Sequence, residues 1–208
     1  MTDAETPADR HAFFRALAAL PSEAGDEAET PVFPPGVAGK RRKPWLARQA
    51  VLARSLGTIV DLDDPHLPGL ADLWVASWAK TLPAIDFEAR RGWLLDHLET
   101  ETAEGVRVRV ALSGTGEPLG FVMIDAATGY LDQIAVAPEV WGGGIAEALL
   151  REARRLSPAK IVLDVNADNP RAVAFYARQG FREIGRGVNP RSGLATLKLE
   201  WRADTPEG

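Results

Sequence analysis

The 208-residue chain contains no cysteine. Disulfides, thiolate metal sites and a cysteine nucleophile are thereby excluded, and a cytoplasmic location is the default expectation. No apolar run approaches the roughly 20 residues of a membrane-spanning helix. No secretory h-region opens the chain, and Asp3, Glu5 and Asp9 argue against an organelle transit peptide. Positive charge is in deficit: the net charge of −5 lacks the basic field that non-specific nucleic-acid binding needs. Neither nucleic acid nor membrane is therefore an expected partner. His11, His66 and His97 share no metal-ligand spacing, so no metal is expected, and His97 reads as a helix-face residue rather than a catalyst. No Gly-x-Ser-x-Gly elbow is present, which disfavours a Ser-His-Asp hydrolase. There is no internal repeat.

What the chain does contain is concentrated between Ile134 and Leu150. The apolar run Ile134-Ala135-Val136 is stopped by Pro138, the glycines Gly142, Gly143 and Gly144 follow, and Ala146, Leu149 and Leu150 then recur at helical spacing. The order reads strand, glycine-rich turn, helix. Glycines leave backbone N–H groups uncovered, and the helix behind them adds its positive dipole end. The product is an anion site suited to phosphate. A dinucleotide fingerprint would need a third glycine where Glu147 stands, and a nucleotide P-loop would need a Lys-Ser/Thr pair where Ile145-Ala146 stand. Both fit poorly.

A second segment lies downstream. Asn169 suits a helix N-cap, Pro170 the first helical position, and Gly180 a left-handed exit. A helix of about two and a half turns is predicted, with a strand beginning at Phe181.

The two segments resemble the motifs of the GCN5-related N-acetyltransferase (GNAT) superfamily. The first matches the family's acyl-CoA pyrophosphate loop, Gln/Arg-x-x-Gly-x-Gly/Ala, from Trp141 to Ala146, with Trp141 in place of the usual Gln or Arg. The second matches Asn-x-x-Ala-x-x-x-Tyr-x-x-x-Gly-Phe at Asn169, Ala172, Tyr176, Gly180 and Phe181. The resemblance spans roughly residues 57–200 and implies acetyl-CoA as co-substrate. It implies cofactor contacts from Ile134, Ala135 and Val136 on the strand, from Trp141, Gly142, Gly143, Gly144, Ile145 and Ala146 in the loop, and from Asn169 and Tyr176. The Trp141 replacement is expected to matter modestly, because backbone amides hold the pyrophosphate in the family.

The chain divides into an N-terminal extension (1–54), an N-acetyltransferase domain (55–203) and a short tail (204–208). In the extension, Thr6-Pro7-Ala8-Asp9 reads as a capping box before an amphipathic helix carrying Phe13, Ala16, Leu17 and Leu20. A Pro/Gly-rich connector follows, then the solvated charge run Lys40-Arg41-Arg42-Lys43 and a helix from Trp45 to Leu56. In the domain, strands are predicted at 58–62, 106–112, 119–124, 130–136, 161–165, 181–184 and 194–200. Helices are predicted from Asp64-Pro65 to Leu82, from Asp86 to Glu99, from Ile145 to Leu156 and after Asn169. The fold class is α/β: a mixed sheet with helices on both faces, behind a helical extension and linker.

Acetyl transfer to an amine needs a neutral amine, a polarised carbonyl and a proton for the departing thiolate. An amine titrating near pH ~10.4 costs about 4–5 kcal/mol to neutralise at pH 7, so a base helps. Asp132, on the strand entering the glycine loop, is the best-placed candidate; a carboxylate satisfied by local hydrogen bonds is an equally open reading. Backbone N–H groups near Val136 suit polarisation of the carbonyl. Tyr176, by resemblance, protonates the sulfur. Trp78, at a helix end, is the candidate acceptor-pocket wall, while Trp74 and Trp93 read as core. The expected partner is a small-molecule amine, and a homodimer stays open. A protein or peptide N-terminal acetyltransferase and a non-catalytic acyl-CoA sensor are the alternatives.

Overall fold

The computed structural model describes residues 54–189 and 192–203. The predicted N-terminal helix, the connector, the basic run and the tail lie outside these residues. So does the segment 45–53 of the second predicted helix, while Leu56 already belongs to a strand.

The strands are β1 (Leu56–Asp61), β2 (Arg107–Ser113), β3 (Pro118–Asp125), β4 (Tyr130–Val136), β5 (Lys160–Asn166), β6 (Arg182–Val188) and β7 (Ala195–Arg202). The helices are α1 (Leu67–Thr81), α2 (Arg91–Ala103), α3 (Ile145–Leu156) and α4 (Pro170–Arg178). The strands form one sheet in the order β1-β2-β3-β4-β5-β7-β6. Every neighbouring pair is antiparallel except β4 and β5.

Each face of the sheet carries its own core. On one side α3 and α4 cover Val122 and Ile124 of β3; on the other α1 and α2 cover Phe121 and Met123. Successive side chains alternate faces along a strand, so a strand covered twice is apolar without interruption, as Leu119 to Ile124 is. Phe121 is fully buried. Phe121→Ala should therefore destabilise the domain by about 3–5 kcal/mol, measured by denaturant unfolding.

Several boundaries differ from the sequence reading. Asp63 builds a capping box with His66, its own N–H reaching His66 Nδ1 at 3.2 Å, so a 3-10 turn over Asp64–His66 precedes α1. Helix α2 runs on to Ala103 beyond the predicted Glu99. Strand β6 extends to Val188 through residues that are nearly all exposed. An edge strand without burial shows no hydropathy pattern, and only its ladder with β7 defines it.

No helix among the described residues is long and apolar enough to cross a membrane.

Candidate active site

The site opens where the parallel pair fails. Strands β4 and β5 are in register only at Tyr130 and Val162, reinforced by the Val162 N–H donating to the Gly129 carbonyl at 2.9 Å. Beyond this point they diverge and leave a cleft of about 560 Å³. Against β3, the Ala137 N–H donates to the Leu119 carbonyl at 2.9 Å, and Val136 and Ile134 face Gly120 and Val122. By the alternation of an antiparallel ladder, Ile134 and Val136 turn their own backbone groups away from β3 and into the cleft. The β3–β4 register also steps from Met123↔Gln133 to Ile124↔Leu131. Asp132 is thus the extra residue of a β-bulge, a device that re-aims a side chain.

At the far end of β4, Gly142 and Gly144 both have φ +82, a conformation that glycine adopts without steric cost. Gly144 is the N-cap of α3 and offers no side-chain cap. The first N–H groups of α3 therefore remain available to an anion. The sequence-predicted residues Ile134, Ala135, Val136, Trp141, Gly142, Gly144, Ile145, Ala146, Asn169, Tyr176, Asp132 and Trp78 all line this one cleft. Gly143 does not; its N–H donates to the Val140 carbonyl at 3.1 Å. Asn169 caps α4 through Oδ1, which accepts from the Ala172 N–H at 3.1 Å.

Trp141 does more than vacate a polar position. Its indole N–H donates to the Val136 carbonyl at 2.7 Å, which fixes the end of β4 where the Val136 N–H also turns toward the cleft. The Arg171 guanidinium lies 3.7 Å from the ring centroid and Lys80 Nζ 5.0 Å. Neither cation has a carboxylate partner among the described residues. Burial pulls the Arg171 guanidinium below its ordinary value, yet arginine keeps its charge. Two cations, from α1 and α4, thus stand beside position 141. Sequence analysis missed this, because no spacing rule connects Lys80, Trp141 and Arg171.

Tyr176 is buried, with Phe175 and Phe181 each packed edge-on at 5.3 Å. Burial pushes its phenol well above the ordinary value, so it stays protonated and able to donate. Nearer the apex of the fork, Tyr130 donates to Asp164 at 3.2 Å. Burial first, then Asp164 and Asp132, push its phenol up to about 12.

The reading of His97 as an ordinary helix-face residue is corrected. Its Nε2 lies 2.7 Å from Asp132 Oδ2, its Nδ1 lies 3.7 Å from Glu101 Oε1, and its ring stacks on Trp93 at 4.8 Å. The i,i+4 spacing of Trp93, His97 and Glu101 on one helix was a usable signal. The meeting with Asp132, 35 positions away, was not. Trp93 and Trp74, expected as core alone, also line a second cavity of about 400 Å³ beside Trp78.

Among the described residues no cluster of His, Cys, Asp and Glu could hold a metal ion.

A mixed sheet split between β4 and β5, with a glycine loop and helix N-terminus at the split, defines an N-acetyltransferase of the GNAT class. The chain belongs to the Acetyltransferase (GNAT) family, whose sequence profile matches residues 67–181. It is 31% identical over 115 residues to the peptidyl-lysine N-acetyltransferase YjaB of Salmonella typhimurium, covering 54% of this chain and 77% of that protein. Its identity to the Escherichia coli peptidyl-lysine N-acetyltransferase YjaB is 28% over 119 residues, covering 54% and 76%. Among solved structures, apo YjaB from Escherichia coli superposes with TM-score 0.57 at 25% identity, covering 69% of this chain and 95% of that one. The PaiA N-acetyltransferase of Thermoplasma acidophilum, solved in complex with coenzyme A, shares the fold at TM-score 0.60 and 20% identity, covering 70% and 98%. The chain is accordingly an acetyltransferase that modifies an amine.

Proposed function

We propose that the protein transfers the acetyl group of acetyl-CoA to the amine of a small molecule by direct attack. The observation that carries this reading is the shared cleft: Asp132, Tyr176, the open edge of β4 and the uncapped start of α3 all face one space. The donor fits the residues present. The N–H groups after Gly144 would take its pyrophosphate, with Arg171 and Lys80 supplying counter-charge. The cleft-facing backbone groups of Ile134 and Val136 would hold its extended arm, as an added strand is held. When bound, acetyl-CoA supplies the activated acyl group.

The chain's own residues would then do three things. Asp132 takes a proton from the acceptor ammonium, directly or through water. His97 holds Oδ2 of that carboxylate and orients it, while Oδ1 has no partner among the described residues. Tyr176 gives its proton to the departing sulfur, and the Val136 N–H stabilises the oxyanion formed during attack.

A panel of amines incubated with acetyl-CoA, read by free-thiol release, tests the reading. Asp132→Asn should lower kcat by roughly 10²-fold. His97→Asn should lower it less, because the carboxylate remains and only its orientation is lost. Full activity in Asp132→Asn would remove the base. A second reading, acetylation of peptide lysine, is favoured by the names of the two YjaB relatives. Lysine-containing peptides in the same panel separate the two.

A further inference from the structure

The second cavity adjoins the first, since Trp78, Gln133, Asn166 and Asn189 line both. Its walls are flat. Trp78 and Phe87 stack at 5.6 Å and 17°, and Trp74 meets Phe87 edge-on at 5.5 Å. Trp93 closes the cavity from α2, 6.0 Å from Trp74. Packing alone does not account for this group of rings, because Trp78 and Trp93 both remain half-buried.

Two polar features decide what the space suits. First, no Asp or Glu is among the described residues lining it. Second, Arg90 stands at its edge, half-buried and stacked over Phe87 at 5.4 Å. Arg90 has no carboxylate partner among the described residues. Its neighbour Arg91 is fully engaged, with Asp72 at 2.6 Å and Glu88 at 2.6 and 2.9 Å. The free guanidinium therefore belongs to the pocket rather than to a surface ion-pair network.

We infer that this cavity is the acceptor pocket for an amine carrying both a flat apolar group and a carboxylate, the chemistry of an aromatic amino acid. The inference rests on the acetyl-transfer reading above for the direction in which the amine points. The rings take the apolar group, Arg90 takes the carboxylate in a fork-to-fork pair, and the amine extends toward Asp132 in the adjoining cleft. A polyamine would leave its remaining cations in a pocket with no carboxylate among its described lining residues.

Phenylalanine and phenethylamine differ only by that carboxylate and serve as the probes. The full-length protein is assayed for thiol release with each, and tryptophan fluorescence is titrated with each in the presence of coenzyme A. Phenylalanine should show a kcat/KM at least tenfold above phenethylamine, arising in KM, and should perturb the fluorescence at lower concentration. Arg90→Gln should bring the phenylalanine-to-phenethylamine ratio close to one, and Arg90→Lys should retain part of it. Equal use of the two probes by the wild type would overturn the inference, as would a ratio unaltered in Arg90→Gln. A higher kcat/KM for spermidine or a lysine peptide would overturn it as well. If no amine releases thiol, the acetyl-transfer reading fails. The pocket then stands or falls on the fluorescence titration, where loss of the phenylalanine response in Arg90→Gln supports it and no response in the wild type sinks it.

Discussion

Gly144→Glu should abolish measurable acetyl-CoA binding while the protein remains folded. Gly144 has φ +82, and a Cβ built there meets no atom within 4 Å. The side chain therefore has room, and the left-handed backbone costs about 1–2 kcal/mol, tolerable for a domain with two apolar cores. Binding should suffer far more. The substitution sets a carboxylate at the first N–H groups of α3, where the pyrophosphate would sit, and reverses the local field. Calorimetry should show affinity reduced at least 100-fold, with the unfolding transition still cooperative. Near-normal affinity in a folded variant would show that the donor binds elsewhere.

Tyr176→Phe should lower turnover by roughly 10²-fold and leave the KM for acetyl-CoA within about a factor of two. The ring's packing against Phe175 and Phe181 is kept, so thermal stability should hardly move. The lost element is the proton, and an interaction made mainly in the transition state appears in kcat rather than in binding. Because burial holds the phenol above its ordinary value, the group donates across the neutral range. Equal turnover of the two proteins with a confirmed acceptor would leave Tyr176 as a packing residue.

Both predictions concern residues that could be found by reading along the chain. The glycine loop and the Asn169–Phe181 segment are local patterns: a cap, a proline, a left-handed glycine and a helical period all act within a few residues. Local energetics therefore encode them directly, and helix α3 begins and ends where it was predicted. The other half of the site is not local. His97 reaches Asp132 only because α2 packs across one face of the sheet while a bulge turns Asp132 toward it. Arg171 and Lys80 gather on Trp141 only because α1 ends and α4 begins at the cleft. Phe87 carried no periodic signal, and it became a pocket wall by stacking on Trp78.

By itself the sequence determined the fold class, the strand that enters the glycine loop and the turn of that loop into helix α3. Each follows from hydrophobic period and backbone preference over short windows. The family followed from two such windows in order. The tertiary structure alone decided which strands part, which carboxylate meets a histidine and which arginines have no carboxylate partner among the described residues. Those outcomes depend on side chains tens of residues apart sharing one small volume, and a linear pattern holds no record of that distance.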